Sequence, residues 1–414
     1  MACHILSTVP RRAGDCVISL GRKMRAKFKA CLAVLCLSCI LTIVIYSYAS
    51  APLDFTHLRQ LSTETVHLEQ VPFHDLLEEY KRKIAEVRSA GYWKANKNFQ
   101  PCSKEKVADR ECVDRKCSSP VATPEQNLHG LLFSMRNTDP EVFALLFDLF
   151  GARKTGKRVL FLSAASSDHF SENQGLVENL HNHVFPYVNN YTFVFYDLGL
   201  SDNERREFVA HCKCEVRTFP FHLLPWRLQN LLCYTWKAFL VQANLPTSDI
   251  LIWVDSSIRF QKSVIQEMLQ ELETKGVMTL YGAHSVAQHT YQTMFDYFDE
   301  DACNFAHVTE KQTGLLLFKN EMFVREAIVK PWAACAMDGS CMCPTNFPLW
   351  SLGCDARVRH YGKCHRFEQS AINIILAKLF RGYEDTFVSS RKHTDVRKND
   401  VSNYFEVLDQ AGYS

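Results

Sequence analysis

An aspartate stands directly after a wholly apolar run, Ile250-Leu251-Ile252-Trp253-Val254, and is followed by two serines, Ser256 and Ser257. A carboxylate in that position has one desolvated side and one open side. Such a placement suits a hard divalent ion bridging phosphate oxygens, because these ions take carboxylate ligands. A second carboxylate two residues on would strengthen the pattern, and Ser257 occupies that place. The plainer alternative has Asp255 capping the next helix or pairing with Arg259. Lys237, in Tyr234-Thr235-Trp236-Lys237 on the predicted helix upstream, has the reach for a phosphate or a sugar hydroxyl; otherwise it is a solvated helix lysine. Near the C-terminus, Cys364-His365-Arg366-Phe367-Glu368 enters another predicted helix. His365 is a candidate metal ligand and Glu368 a candidate base, although a first-turn Glu is also an ordinary partner of the helix dipole.

Three other stretches offer polar groups at predicted strand ends. Val159-Leu160-Phe161-Leu162 runs into Ser163-Ala164-Ala165-Ser166-Ser167-Asp168-His169, where small residues admit a ligand close to backbone and hydroxyls offer hydrogen bonds. The bland reading is a βα turn with a helix cap. Asp197, in Tyr196-Asp197-Leu198-Gly199, could bond a ribose or base, or simply form the turn before Gly199. Lys311-Gln312-Thr313-Gly314 precedes a further strand, and Gly314 permits close approach. Gly151 to Lys157 imitates the first seven positions of a P-loop. Residue 158 is Arg, however, and the segment precedes a strand, whereas a P-loop follows one. No Gly-x-Gly-x-x-Gly, Gly-x-Ser-x-Gly or His-Glu-x-x-His is present, which removes the common dinucleotide, lipase and zincin readings.

The elements that must position these residues alternate. Strands are predicted at 159–162, 191–196, 215–219, 250–254, 276–281 and 314–318. Helices are predicted at 142–150, 172–182, 202–211, 227–243, 263–274 and 368–380. Continuous apolar strands between amphipathic helices imply an α/β domain with a doubly wound, mostly parallel sheet. Ligands of such sheets bind outside the carboxyl ends of the strands.

Ahead of this domain, residues 30–53 carry no charged side chain, and Cys31 to Tyr48 is long enough to span a bilayer. Seven basic residues and one acid precede the span, so the positive-inside rule keeps the N-terminus cytosolic. The expected order is a basic tail at 1–29, a transmembrane signal-anchor at 30–49, a stem with a cysteine-rich loop at 50–124, and a lumenal domain at 125–414. Leu76, Leu77, Tyr80, Ile84 and Val87 recur at helical spacing, as a stalk helix or a flap on the main domain. Twelve of the 17 cysteines fall beyond the span, an even number that fits disulfides. Cys212-Lys-Cys214 and Cys341-Met-Cys343 could instead hold a metal. Asn190-Tyr191-Thr192 is one N-glycosylation acceptor. The net charge of +2 argues against nucleic-acid binding.

The series Tyr196-Asp197-Leu198-Gly199-Leu200, Val216-Arg217-Thr218-Phe219, Tyr234-Thr235-Trp236-Lys237, Trp253-Val254-Asp255-Ser256-Ser257-Ile258 and His365 to Ser370 resembles an uncharacterised animal family, abundant in nematodes, known as a domain of unknown function. The resemblance covers about residues 155–385. That family in turn looks like nucleotide-diphospho-sugar glycosyltransferases of the GT-A type. The resemblance therefore implies sugar transfer from a nucleotide-diphosphate donor to a glycan, protein or lipid. It implies Mn²⁺ or Mg²⁺ held by Asp255, which matches the first acid of an Asp-x-Asp pattern, with Ser257 departing from the second. His365 or His360 would complete the metal shell. Ser163, Ala164, Asp197, Lys237, Ser257, Gln312 and Gly314 are the expected donor-binding residues, with Asp255 and Glu368 catalytic. Golgi or ER localisation follows from the anchor. An inactive lumenal binding or scaffolding relative, and a sulfotransferase, are the competing readings; retention or inversion stays open.

Overall fold

The computed structural model describes residues 71–97, 99, 122–138, 141–344, 354 and 361–412. The expected membrane segment, the basic tail and Cys102, Cys112, Cys117 and His360 lie outside these residues. Among the described residues no helix is long and apolar enough to cross a membrane.

Helices α1 (Phe73–Ser89), α2 (Pro124–Ser134) and α3 (Glu141–Leu149) precede the sheet. There follow β1 (Val159–Ala165), α4 (Phe170–Asn179), β2 (Tyr191–Asp197), α5 (Asp202–His211), β3 (Glu215–Thr218), α6 (Thr235–Asn244), β4 (Ile250–Val254) and β5 (Ile258–Phe260). The C-terminal half adds α7 (Ile265–Lys275), β6 (Val277–Ser285), α8 (Gln292–Tyr297), β7 (Thr309–Lys319), α9 (Lys330–Met337), α10 (Phe367–Leu379), β8 (Thr394–Val396) and α11 (Tyr404–Gln410). Local chemistry sets several boundaries. Capping boxes open α2 (Thr123 with Gln126) and α5 (Ser201 with Glu204). Gly276, at φ 76°, ends α7 in the left-handed conformation that a Cβ would penalise.

Six strands form one sheet in the order β3-β2-β1-β4-β7-β6. The first four are mutually parallel; β7 runs antiparallel to both β4 and β6. β5 and β8 make a separate antiparallel pair. The sheet is covered on both faces, as the strand period of two requires. Leu160, Leu162, Tyr196, Leu251 and Trp253 point into one core, and Phe161, Phe193, Phe195, Ile252 and Val254 into the other. Strand order reverses between β1 and β4. Their carboxyl ends therefore lie at a topological switch point, where ligands of such sheets bind.

Two expectations need correction. The helix expected at 227–243 begins only at Thr235. Pro225, the Asn230 side chain accepting from the Leu232 N–H, and Tyr234 in the left-handed region at φ 53° break the preceding stretch into single 3-10 turns. The strand expected at 314–318 starts five residues earlier, at Thr309, because its polar first half pairs with β6 around a bulge.

α1, expected within a stem, lies against the domain: Leu76, Leu77, Tyr80 and Val87 are buried. Tyr80 stacks on Phe323 at 5.1 Å and meets Phe380 edge-on, and its hydroxyl donates to the Leu379 carbonyl at the end of α10. Lys83 is buried beside it, with Nζ 2.9 Å from Glu321 and donating to the Thr274 carbonyl at 3.0 Å. Tyr80→Ala is expected to cost roughly 3–5 kcal/mol through the cavity it leaves. Tyr80→Phe should cost about 1–2 kcal/mol, from the acceptor left unpaired. Urea-unfolding midpoints of the two variants check the difference.

Candidate functional site

The switch point collects side chains from four distant segments. Asp255 extends from β4, and its N–H donates to the Gly314 carbonyl of β7 at 2.7 Å. Its Oδ1 accepts from the Trp253 indole N–H at 2.6 Å. Lys237 reaches it from the first turn of α6, with Nζ 3.0 Å from Oδ1 and 3.3 Å from Oδ2. The same Nζ donates to Glu368 Oε1 at 3.1 Å and approaches the Thr313 carbonyl at 3.4 Å. Thr313 Oγ1 donates to Glu368 Oε1 at 2.9 Å, and Trp332 Nε1 fixes the Glu368 carbonyl at 2.8 Å.

The electrostatics follow from burial. The Lys237 side chain is 2% exposed, Glu368 8% and Asp255 33%. Burial opposes the Lys237 ammonium, but Asp255 and then Glu368 outweigh it and push its pKa up. One cation thus serves two carboxylates and leaves the cluster one negative charge in excess. Aromatic rings close around it. Nζ lies 5.3 Å from the Trp253 ring and 5.9 Å from that of Tyr234.

Two left-handed residues flank the cluster. Tyr234 (φ 53°) and Phe367 (φ 43°) each open a helix whose first turn carries a member of the cluster, and their rings lie 6.2 Å apart. Bulky residues with positive φ store strain, which concentrates where geometry is held for function. A disulfide, Cys233–Cys343, fixes the chain just before Tyr234.

The remaining expected site residues divide. Gly314 lies against Asp255: a Cβ there would stand 3.5 Å from Oδ2 and 3.1 Å from the Ile258 Cδ1. Ser257 sits in the turn after β4, its carbonyl accepting from the Arg397 N–H. Gln312 is half-buried within β7. Ser163 and Ala164 are buried inside β1, which runs on to Ala165. Ser163 donates across to the Val254 carbonyl at 2.7 Å and so joins two strands rather than facing a ligand. Asp197 is an internal anchor: Oδ1 accepts from the Gly199 and Leu200 N–H groups and Oδ2 pairs with Arg205 at 2.6 Å. His365 is 1% exposed and spends both ring nitrogens on backbone. Nδ1 accepts from the Tyr291 N–H and Nε2 donates to the Met342 carbonyl. The Asn190 acceptor is exposed in the turn before β2.

Sequence reasoning did not single out Glu172. It is nearly buried, yet its Oε2 accepts from Ser256 Oγ at 2.9 Å and sits 3.0 Å from the His169 Nδ1. Its Oε1 accepts from the Asn399 N–H at 3.1 Å. Glu172 thereby ties the end of β1, the end of β4 and the C-terminal segment into one rim. A polar first-turn helix residue carries no local mark of such a role.

The residues present do not suit a divalent ion. Asp255 already carries an ammonium on both oxygens, position 257 is neutral, and His365 has no free nitrogen. Among the described residues, the one cluster with metal-ligand spacing is His289 with Cys354 and Cys364. Those cysteines are joined in a disulfide, and the His289 Nδ1 is 2.7 Å from Glu310. The alternative of cysteine metal sites also falls: Cys212 pairs with Cys214, and Cys341 pairs with Cys335.

The buried ammonium and the buried neutral imidazole each have a measurable consequence. Lys237→Met should destabilise the chain by about 3–5 kcal/mol, because two carboxylates then share a site with no counter-ion. Adding Glu368→Gln should restore part of that loss, read as a double-mutant cycle in urea. Burial pushes the His365 pKa down to about 3, against 6.5 for a free imidazole. Between these values the unfolded chain takes a proton that the folded chain refuses. Stability is therefore lost as pH falls from 6.5 toward 3, by up to about 1.4 kcal/mol per unit from this residue. His365→Gln should flatten that slope in pH-dependent urea unfolding.

Comparisons with known proteins give the following. No curated protein matches the chain. Among solved structures, the WbbM bifunctional glycosyltransferase in its apo form is similar with a TM-score of 0.33 and 11% identity, over 56% of this chain and 38% of that one. The galactosyltransferase LgtC, in complex with donor and acceptor sugar analogs, is similar with a TM-score of 0.34 and 10% identity, over 61% of this chain and 94% of that one. The mannosyltransferase Ktr4p from S. cerevisiae, in complex with GDP, is similar with a TM-score of 0.31 and 11% identity, over 52% of this chain and 77% of that one. The chain thus spans well under half the length of the first of these. Residues 140–242, which run from α3 through most of α6, match the family described as "Protein of unknown function (DUF1647)".

Proposed function

We propose that this chain is a GT-A-type glycosyltransferase that binds a nucleoside-diphosphate sugar at the carboxyl ends of β1 and β4. The observation that carries the reading is the Lys237–Asp255–Glu368 cluster at the switch point. Carboxylates fixed by a buried ammonium are rigid acceptors, and rigid acceptors suit the hydroxyls of a sugar. Asp255, one-third exposed, is the member that faces the ligand; Lys237 and Glu368 position it. In the reaction the bond from the anomeric carbon to the diphosphate oxygen breaks, and its electron pair leaves with the nucleoside diphosphate. The acceptor oxygen forms the new glycosidic bond, and its proton passes to the departing diphosphate or to solvent. Preorganised polar groups favour this step because they need no rearrangement as charge develops.

The cellular setting belongs to the same reading. Four disulfides among the described residues fit an oxidising compartment. The uncharged run at 30–53 and its basic upstream flank fit a type II anchor in the Golgi or ER, with this domain lumenal. A second reading, an inactive relative that binds sugar without transferring it, draws on Ser257 in place of the second acid.

One experiment separates them. The chain, expressed in a secretory host, is screened against nucleotide sugars by thermal shift and then assayed for release of nucleoside diphosphate. A shift with one donor, accompanied by turnover and lost in Asp255→Asn, is the expected result. A shift without turnover on any acceptor favours the binding protein. A well-folded chain that shifts with no nucleotide sugar overturns the proposal.

A further inference from the structure

We infer that this site takes its donor without a divalent cation, the Lys237 ammonium clamped between Asp255 and Glu368 standing where a metal would otherwise balance the acidic strand end. The inference rests on the glycosyltransferase reading and adds to it a statement about charge. Asp255 presents two oxygens. Oδ1 is taken by the Trp253 N–H at 2.6 Å and by Lys237 at 3.0 Å, and Oδ2 lies 3.3 Å from the same ammonium. Hard divalent ions demand six or more oxygen ligands, with carboxylates among them. The residue two places on, where a second carboxylate would stand, is Ser257. Glu368, the other acid within reach of Lys237, has Oε1 bonded to that ammonium and to Thr313.

The ammonium is not free to step aside. Lys237 is 2% exposed, and the rings of Trp253 and Tyr234 stand over it. The Thr313 carbonyl takes up its remaining side at 3.4 Å. A cation bound to Asp255 would sit beside a fixed positive charge on the same carboxylate, and like charges in a partly desolvated site repel strongly. His365, the imidazole nearest in sequence to Glu368, bonds backbone through both nitrogens and stays neutral. The arrangement therefore supplies one positive charge from within the chain and engages the oxygens that a metal on Asp255 would need.

The test uses the full chain in detergent, with UDP and GDP as probes and Mn²⁺ as the metal. Calorimetric affinity for whichever nucleotide binds is measured in chelator and again in millimolar Mn²⁺. Equal affinities within about twofold support the inference, and weakening of about tenfold or more in chelator overturns it. In parallel, uptake of Mn²⁺ by the protein alone is read from the loss of the free-ion electron paramagnetic resonance signal. The wild-type chain should leave that signal unchanged. Stoichiometric uptake that Asp255→Asn abolishes would overturn the inference whatever the nucleotides do. Ser257→Asp should still take up no Mn²⁺, because Lys237 keeps its charge on both oxygens of Asp255; stoichiometric uptake by a folded Ser257→Asp would overturn the claim that the ammonium keeps the metal out. Failure of both nucleotides and all nucleotide sugars to bind, with no Mn²⁺ uptake, overturns the glycosyltransferase reading and this inference with it. Binding that requires Mn²⁺ overturns the inference alone.

Discussion

A buried ammonium is tolerated only where partners surround it, and the Lys237 ammonium finds its partners on segments up to 131 residues away along the chain. Removing either carboxylate leaves the cation undercompensated; removing the cation leaves two acids facing one another. This single contact therefore requires α6, β4, β7 and α10 to meet in one register. The antiparallel run of β7 beside β4 brings Thr313 and Gly314 level with Asp255. The Trp332 indole pins the first turn of α10 so that Glu368 points inward. The small side of Gly314 then leaves Asp255 its exposed face.

Local strain makes sense under the same constraint. Lys237 and Glu368 keep their places only while their helices hold register, since a slip of one residue would rotate either by about 100° around its helix axis and take it out of the cluster. The left-handed conformations at both helix starts are consistent with a site whose geometry outranks local backbone comfort. The Cys233–Cys343 bridge acts on the same segment from outside, tying the entry to α6 to the chain beyond α9.

Much of the scaffold was legible because its signals are local. The runs 159–162 and 250–254 are apolar on both faces and bounded by polar turns, so they read as buried strands and placed Asp255 at a strand end. The site was legible one residue at a time: Asp255, Lys237 and Glu368 were each picked out, but nothing in the sequence joined them. Contact between residues so far apart leaves no periodic trace. Local signals are weak where sequence and structure differ. Ser163-Ala164-Ala165 is equally compatible with strand and turn, and only the fold shows that β1 runs on through it and buries Ser163 and Ala164. His365 looked like a ligand because its residue type suits one. Its burial against the Tyr291 and Met342 backbone depends on packing from elsewhere in the chain.

The charge of the strand end constrains how any donor would lie against it. Asp255 and Glu368 bring two carboxylates to the strand end, against the one ammonium of Lys237 between them. A diphosphate placed over Asp255 would meet net negative charge, and a carboxylate partly desolvated by its surroundings repels it more than one in water. Sugar hydroxyls meet the opposite situation, because ionised carboxylates only accept hydrogen bonds and hydroxyls can donate them. In the glycosyltransferase reading the sugar therefore lies toward Asp255, with the phosphates directed away from the acidic cluster. The buried lysine acts on the same balance: without it the strand end would repel the phosphates more strongly and the two carboxylates would repel each other.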